Sequence, residues 1–161
     1  MSDNVNTKQQ KPMPLAGVRV VEYAVYHAGP GAGAILGDLG AEVIKIEEER
    51  GDPVRGWLEV GGVDLTSPDG QSIWYHLSNR NKKGICLNIH TTTGREIFAR
   101  LIKGADVFLT NLRKSTKDHI GIDYNTLSKV NPKLIHANVS GFGPKGPLSD
   151  NGAFDPLGQG R

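Results

Sequence analysis

The segment from Val18 to Glu47 constrains the fold more than any other part of this chain. It reads VRVVEYA, then VYHAGPGAGAILGDLG, then AEVIKIE. The first and last pieces are short, β-branched and apolar on both faces, as parallel strands buried on both sides are. Between them, Pro30 suits the first turn of a helix, where its missing N–H is not needed. Ile35, Leu36 and Leu39 give that helix an apolar side, and Gly40 suits its C-terminal cap. The segment therefore predicts a βαβ unit, whose crossover is expected to be right-handed.

The rest of the chain repeats the alternation. Residues 48–69 are rich in Gly, Pro and Asp and predict a long loop, of a length that is usually functional or mobile. GQSIWYHLSNRNKK predicts a short helix running into a basic turn, with Arg80, Lys82 and Lys83 as a solvated charge cluster. GICLNIH reads as a third strand. TTTGREIFARLIKGA reads as a helix with Thr caps, an Ile97, Leu101 and Ile102 face, and a stop at Gly104. DVFLTN is a fourth strand. Two short helical turns follow, the second capped by Asp123 and ended by Pro132, and KLIHANVSGFG is a fifth strand. The order β-α-β-loop-α-β-α-β-α-β predicts an α/β fold: a Rossmann-like, doubly wound, mostly parallel sheet.

Length and composition set the remaining bounds. The 161 residues suit one domain. We divide them into a disordered leader over 1–12, which lacks the apolar stretch of a signal peptide, and an α/β domain over 13–161. The net charge of +2 gives no argument for nucleic acid, and no apolar run approaches a membrane span. The one cysteine, Cys86, excludes an internal disulfide and reads as a small buried hydrophobe. Disulfide-free usage favours a reducing compartment and a cytoplasmic location.

In open α/β sheets, ligands gather outside the carboxyl ends of the strands. Those ends carry Tyr26, His27, Ala28 and Gly29; Glu47 and Glu48; Asn88 and His90; Asn111, Leu112 and Arg113; and Ser140 to Gly143. Each has a plainer reading. His27 could be a satisfied turn histidine, Asn88 and Asn111 could close Asx turns, and the glycines could serve helix–sheet packing. Gly29-x-Gly31-x-x-Ala34, followed by Glu47, nearly spells a dinucleotide fingerprint. However, VYHA separates the strand from Gly29, and Pro30 stands where a phosphate-binding turn wants an N–H.

Two blocks carry a resemblance. PLAGVRVVEYAVYHAGPGAGAILGDLGAEVIKIE resembles the opening of the class III CoA-transferases, the formyl-CoA and carnitine CoA-transferase group. It supplies Leu15, Gly17, Ala28, Gly29, Pro30, Leu36, Gly40, Ala41, Val43, Lys45 and Glu47 in the family pattern. The second block runs from Asn79 to Pro147 and is as close. The resemblance implies an N-terminal α/β domain that binds coenzyme A, with acyl-CoA and carboxylic acids as substrates and neither metal nor NAD as cofactor. It implies transfer through a mixed anhydride and an aspartyl-CoA thioester, in an interlocked homodimer. Carried residue by residue, it places CoA contacts at His27, Ala28, Leu87, Asn88, Ile89, His90, Asn111, Leu112, Arg113, His119, Gly152, Ala153, Phe154 and Asp155.

In this resemblance His27 would lie beside the reacting carbonyl, and Asp155 would be a supporting acid. The family's nucleophilic aspartate falls past Arg161, so the chain alone is expected to be inactive. Glu48 stands where the family often has a basic residue, and Leu112 where it usually has an aromatic ring. Racemases of 2-methylacyl-CoA thioesters share these blocks and remain an alternative, with His119 and Asp155 as proton carriers. An NAD-binding module is the other alternative.

Overall fold

The structure is a computed structural model and describes residues 12–154. The elements run in the order β1 (Arg19–Tyr23), α1 (Ala28–Asp38), β2 (Glu42–Glu47), a 3-10 turn (Pro53–Gly56), β3 (Glu59–Val60), β4 (Val63–Asp64), α2 (Ile73–Asn79), β5 (Lys82–Cys86), α3 (Thr92–Lys103), β6 (Val107–Thr110), α4 (Lys114–Ile120), α5 (Tyr124–Val130) and β7 (Ile135–Asn138). Five strands form one sheet in the order β5-β2-β1-β6-β7, and every neighbouring pair is parallel. The chain builds outward from β1 to β5, then crosses back to β6 and β7. The winding reverses between β1 and β6, so the crevice that such sheets offer a ligand lies beyond the carboxyl ends of these two strands.

Alternation along the strands sorts the core into two layers. On one face Val21, Tyr23, Ile46 and Phe108 pack with Phe98 and Ile102 of α3, Ile120 of α4 and Leu127 of α5. Phe98 meets Phe108 edge-on at 5.7 Å, a favoured ring geometry. On the other face Val20, Val43 and Leu109 pack against Ala32 and Leu36 of α1. Local signals set the helix ends. The Thr91 hydroxyl accepts the Gly94 N–H at 3.0 Å, and Asp123 accepts that of Thr126 at 3.1 Å. Gly40, at φ +100, turns the chain out of α1, a conformation only glycine adopts without strain.

Three expectations are corrected. The third strand covers Lys82–Cys86 rather than GICLNIH, because Asn88 folds an Asx turn, accepting the His90 N–H at 2.9 Å, and ends the ladder early. Cys86 is exposed, because β5 is an edge strand. Residues 48–69 are partly ordered by the 3-10 turn and the two-residue β3–β4 ladder. Within the Ile97, Leu101 and Ile102 face, Ile102 is buried while Ile97 and Leu101 pack at its margin.

Candidate functional site

Four residues, Ala24 to His27, join β1 to α1 at the crevice. Asn111, just past β6, holds this turn from across the crevice. Its Oδ1 accepts the Val25 N–H at 2.9 Å, and its Nδ2 donates to the Val25 carbonyl at 2.7 Å. Gly29 sits where a Cβ would come within 2.7 Å of Ala24 and 3.2 Å of Asn111, so only glycine lets α1 start this close to the sheet. Tyr26 takes φ +62, an uncommon backbone state for an aromatic residue. Its N–H donates to Asp52 Oδ1 at 3.0 Å. His27 then occupies the N-cap position of α1, and no side chain caps the helix. The helix start thus faces the crevice with its positive dipole end.

Aromatic rings surround His27. The imidazole lies 5.0 Å from Trp74 and 5.7 Å from Trp57, centroid to centroid. Tyr26 meets Trp57 at 5.6 Å and Phe154 at 5.7 Å. His27 Nδ1 is 3.0 Å from the Ser78 hydroxyl. The imidazole tautomer decides which of the two donates in this hydrogen bond.

A buried ionic cluster lies beneath this turn. Lys45 donates to Glu22 Oε1 at 3.2 Å, the Ala24 carbonyl at 2.9 Å and Asp52 Oδ2 at 3.0 Å. Lys82 lies 2.8 Å from Glu22 Oε2 and donates to the Pro30 carbonyl at 2.7 Å and the Ser78 carbonyl at 2.8 Å. All four side chains are nearly or fully buried. Burial raises the Glu22 carboxyl against the opposing pull of Lys82 and Lys45, and burial lowers Lys82 against the pull of Glu22. Lys82 is therefore not part of a solvated basic turn, as its sequence context suggests. It ties β5 and the end of α2 to α1.

Glu47 is also more than the end of a strand. Its Oε2 accepts the Asp52 N–H at 2.8 Å and Arg55 Nε at 2.7 Å, and its Oε1 accepts Arg55 Nη2 and the Tyr75 hydroxyl, both at 2.8 Å. Burial alone would raise this carboxyl, but these donors outweigh it and hold it at about 2. Arg55 also stacks on the Tyr75 ring at 3.7 Å. Glu47 and Asp52 together fix the chain that carries Trp57. Glu48 accepts the Tyr23 hydroxyl at 2.6 Å and lies 3.8 Å from His90. Burial and Glu48 push the Tyr23 phenol up.

The residues carried over from the resemblance fall into three groups. His27, Ala28, Asn111, Leu112 and Arg113 meet at the crevice, and Gly152, Ala153 and Phe154 return onto it. A Cβ on Gly152 would lie 2.7 Å from the Arg113 guanidinium, and one on Gly141 would lie 2.1 Å from the Ala153 Cβ. Leu87 and Ile89 point into the core, so this segment offers a ligand the exposed Asn88 and His90 and its backbone. His119 is exposed in the last turn of α4, and no described contact links it to the turn after β1. Asp155 lies outside the described residues. Sequence reasoning missed Asp52, Trp57 and Trp74. Asp52-Pro53 carried a readable signal, that of a capped helical start, and Asp52 does accept the Val54 N–H at 3.1 Å.

The arrangement suits an elongated anionic ligand. Exposed Arg113 and His90 flank the crevice, the start of α1 faces it, and an aromatic wall stands beside His27. Among the described residues no group of three His, Cys, Asp or Glu could hold a metal ion. Nor is any described helix long and apolar enough to cross a membrane.

Known proteins are similar to this chain in sequence and fold. The model of CoA-transferase family III matches residues 15–161. The succinate–glutarate CoA-transferase of Agrobacterium fabrum is 40% identical over 164 residues, spanning 99% of this chain and 39% of the relative. The (R)-2-hydroxy-4-methylpentanoate CoA-transferase of Clostridioides difficile is 41% identical over 145 residues, spanning 89% of this chain and 35% of the relative. The crystal structure of a CAIB/BAIF family protein from Brucella suis superposes with a TM-score of 0.81 at 38% identity, over 93% of this chain and 39% of that one. The chain thus spans about two fifths of the length of the relatives it matches.

Proposed function

Because the chain belongs to CoA-transferase family III, we propose that it is the CoA-binding N-terminal lobe of an enzyme that moves coenzyme A between two carboxylic acids. The observation that carries this reading is the uncapped start of α1 at the β1–β6 crevice, with His27 and Arg113 on its rim. In this reading CoA lies across the strand ends. Arg113 and His90 meet its phosphates as charge-assisted or neutral donors. The thioester reaches the turn at His27, and Trp57 and Trp74 shield it from water.

The proposed chemistry uses an aspartate carried beyond Arg161. Its carboxylate attacks the acyl-CoA carbonyl, forming a mixed anhydride and releasing CoA thiolate. The thiolate then attacks the aspartyl carbonyl of the anhydride, which expels the first acid and leaves an aspartyl-CoA thioester. The acceptor carboxylate repeats these steps in reverse. In the tautomer in which His27 Nδ1 accepts from Ser78, its Nε2–H donates in this reading to the oxyanion that forms at each attack. Asp155 supports the reaction from the C-terminal segment. The parent protein works as an interlocked homodimer in the cytoplasm. The exposed Trp57, Leu58, Val60, Val63, Trp74 and Leu77 are the kind of apolar surface that such an interface buries.

The test uses the protein that continues this chain past Arg161, supplied with an acyl-CoA and an acceptor acid. The expected result is a new acyl-CoA, with a hydroxylamine-sensitive thioester on one aspartate. Deuterium entering C2 of the acyl group in heavy water, with no acceptor needed, would instead identify a racemase. The 161-residue chain alone is expected to transfer no CoA; turnover at an ordinary enzyme rate would refute the assignment of the nucleophile.

A further inference from the structure

We infer that Asp52 is a positioning residue for His27, acting through the backbone of Tyr26. Asp52 is 2% exposed, and both its oxygens are committed. Oδ2 takes Lys45 at 3.0 Å, while Oδ1 takes the Tyr26 N–H at 3.0 Å and the Val54 N–H at 3.1 Å. Tyr26 has a positive φ. A bulky residue persists in that state only where its surroundings over-determine it. Asn111 holds Val25 on one side of this residue, and Asp52 holds Tyr26 itself.

The left-handed residue turns the chain abruptly from β1 into α1 and so aims the next side chain, His27, at Trp74 and Trp57. Asp52 fixes both partners of that contact. Its bond to Tyr26 sets where His27 starts, and its bond to Val54 starts the 3-10 turn that ends beside Trp57. Lys45 holds Asp52 in place across 3.0 Å, and Glu22 pairs with both Lys45 and Lys82. The buried ionic cluster thus acts as a footing for the turn. Lys45 and Glu22 lie in strands β2 and β1, whereas Asp52 is the member that reaches both loops.

The functional part of this inference rests on the reading of that turn as CoA-facing, so the test has two separate readouts. The first is nuclear magnetic resonance of the unaltered chain and of the D52A and D52N variants. In the unaltered chain we expect a Tyr26 amide protected from exchange, and through-space signals between the His27 imidazole and the indoles of Trp57 and Trp74. In D52A these signals disappear while the methyl shifts of Ile102 and Leu127 in the core stay put. Asn keeps an oxygen acceptor for the Tyr26 and Val54 N–H groups but turns its NH2 on Lys45, so D52N restores them only in part. The second readout is calorimetric binding of CoA, expected to weaken at least tenfold in D52A and to recover in part in D52N.

A folded D52A that keeps the His27–Trp contacts overturns the inference, and so does a D52N that loses them as D52A does. An unprotected Tyr26 amide in the unaltered chain overturns it without any variant, which covers the case that D52A fails to fold. If the ring contacts respond as expected while the unaltered chain binds no CoA, the positioning role stands and the CoA reading fails.

Discussion

Replacing Glu47 by Gln should loosen the segment that carries Trp57, and the size of the effect follows from the structure. The carboxylate accepts four donors: the Asp52 N–H, Arg55 twice, and the Tyr75 hydroxyl. Gln keeps the shape but offers one acceptor oxygen, and turns an NH2 group on donors that need an acceptor. These donors lower the carboxyl from its ordinary 4.5 to about 2. That drop corresponds to roughly 3.4 kcal/mol at about 1.36 kcal/mol for each tenfold step. Arg55 is 42% exposed, so solvent screening reduces the expected loss to about 2 kcal/mol.

The sign of the pH dependence is fixed by the direction of the shift. A carboxyl lowered in the folded state contributes stability that is fully present above pH 4.5 and lost as the pH falls towards 2. Urea unfolding of the unaltered chain and of E47Q should therefore differ by about 2 kcal/mol at pH 7, and by less than half of that at about pH 3. At pH 7 the melting temperature should fall by about 6 °C. A difference below about 0.5 kcal/mol at pH 7, the worth of a weak surface pair, would refute the reasoning. So would a difference that stays constant between the two pH values.

Two further predictions follow from close packing at the same end of the sheet. Gly33→Ala would place a Cβ 1.9 Å from Glu22 Oε2, whereas a Cβ on Gly31 meets nothing within 4 Å. Thermal melts should show G33A destabilised by at least about 1–3 kcal/mol from overpacking, and G31A stabilised by up to about 1 kcal/mol from helix propensity; equal behaviour would contradict the Glu22 placement. Asn111→Ala strands the N–H and carbonyl of Val25 and should cost about 1–3 kcal/mol in urea unfolding. An N111A chain of unchanged stability would show that the β1 and β6 ends are not joined through this amide.

Much of the fold was legible because its signals are local. Val18 to Ala24 and Ala41 to Glu47 are apolar on both faces, so they read as central parallel strands, and they are β1 and β2 with the ends trimmed. Asp123, Thr91 and Gly40 announced helix ends through their own chemistry, and each sits where that chemistry is used. The third strand was misplaced because Leu87 and Ile89 are buried like strand residues while lying past the ladder. Cys86 was misjudged because strand composition does not say which strand is at an edge.

The site was only half legible. Strand ends could be listed from the sequence, and His27, Asn111 and Arg113 do meet at the crevice. What the sequence hid was the footing beneath them. Glu22, Lys45 and Lys82 are charged residues in or beside strands, ordinarily a mark of solvent. Their burial makes sense only once three strands and the loop after β2 bring two cations and two carboxylates together, Asp52 being the second carboxylate. Trp57 and Trp74 lay in segments read as loop and short helix, and only tertiary contact places their rings on His27.

In the proposed function this chain binds CoA across the carboxyl ends of β1 and β6. A titration of the isotope-labelled chain with CoA, followed by amide resonances, tests it most directly. CoA should shift resonances at Tyr26 to Ala28, Asn88 to His90, Asn111 to Arg113 and Gly152 to Phe154, while NAD at the same concentration leaves them unmoved. Shifts confined to α5 and the β3–β4 ladder, or the same residues responding to NAD and not to CoA, would contradict it.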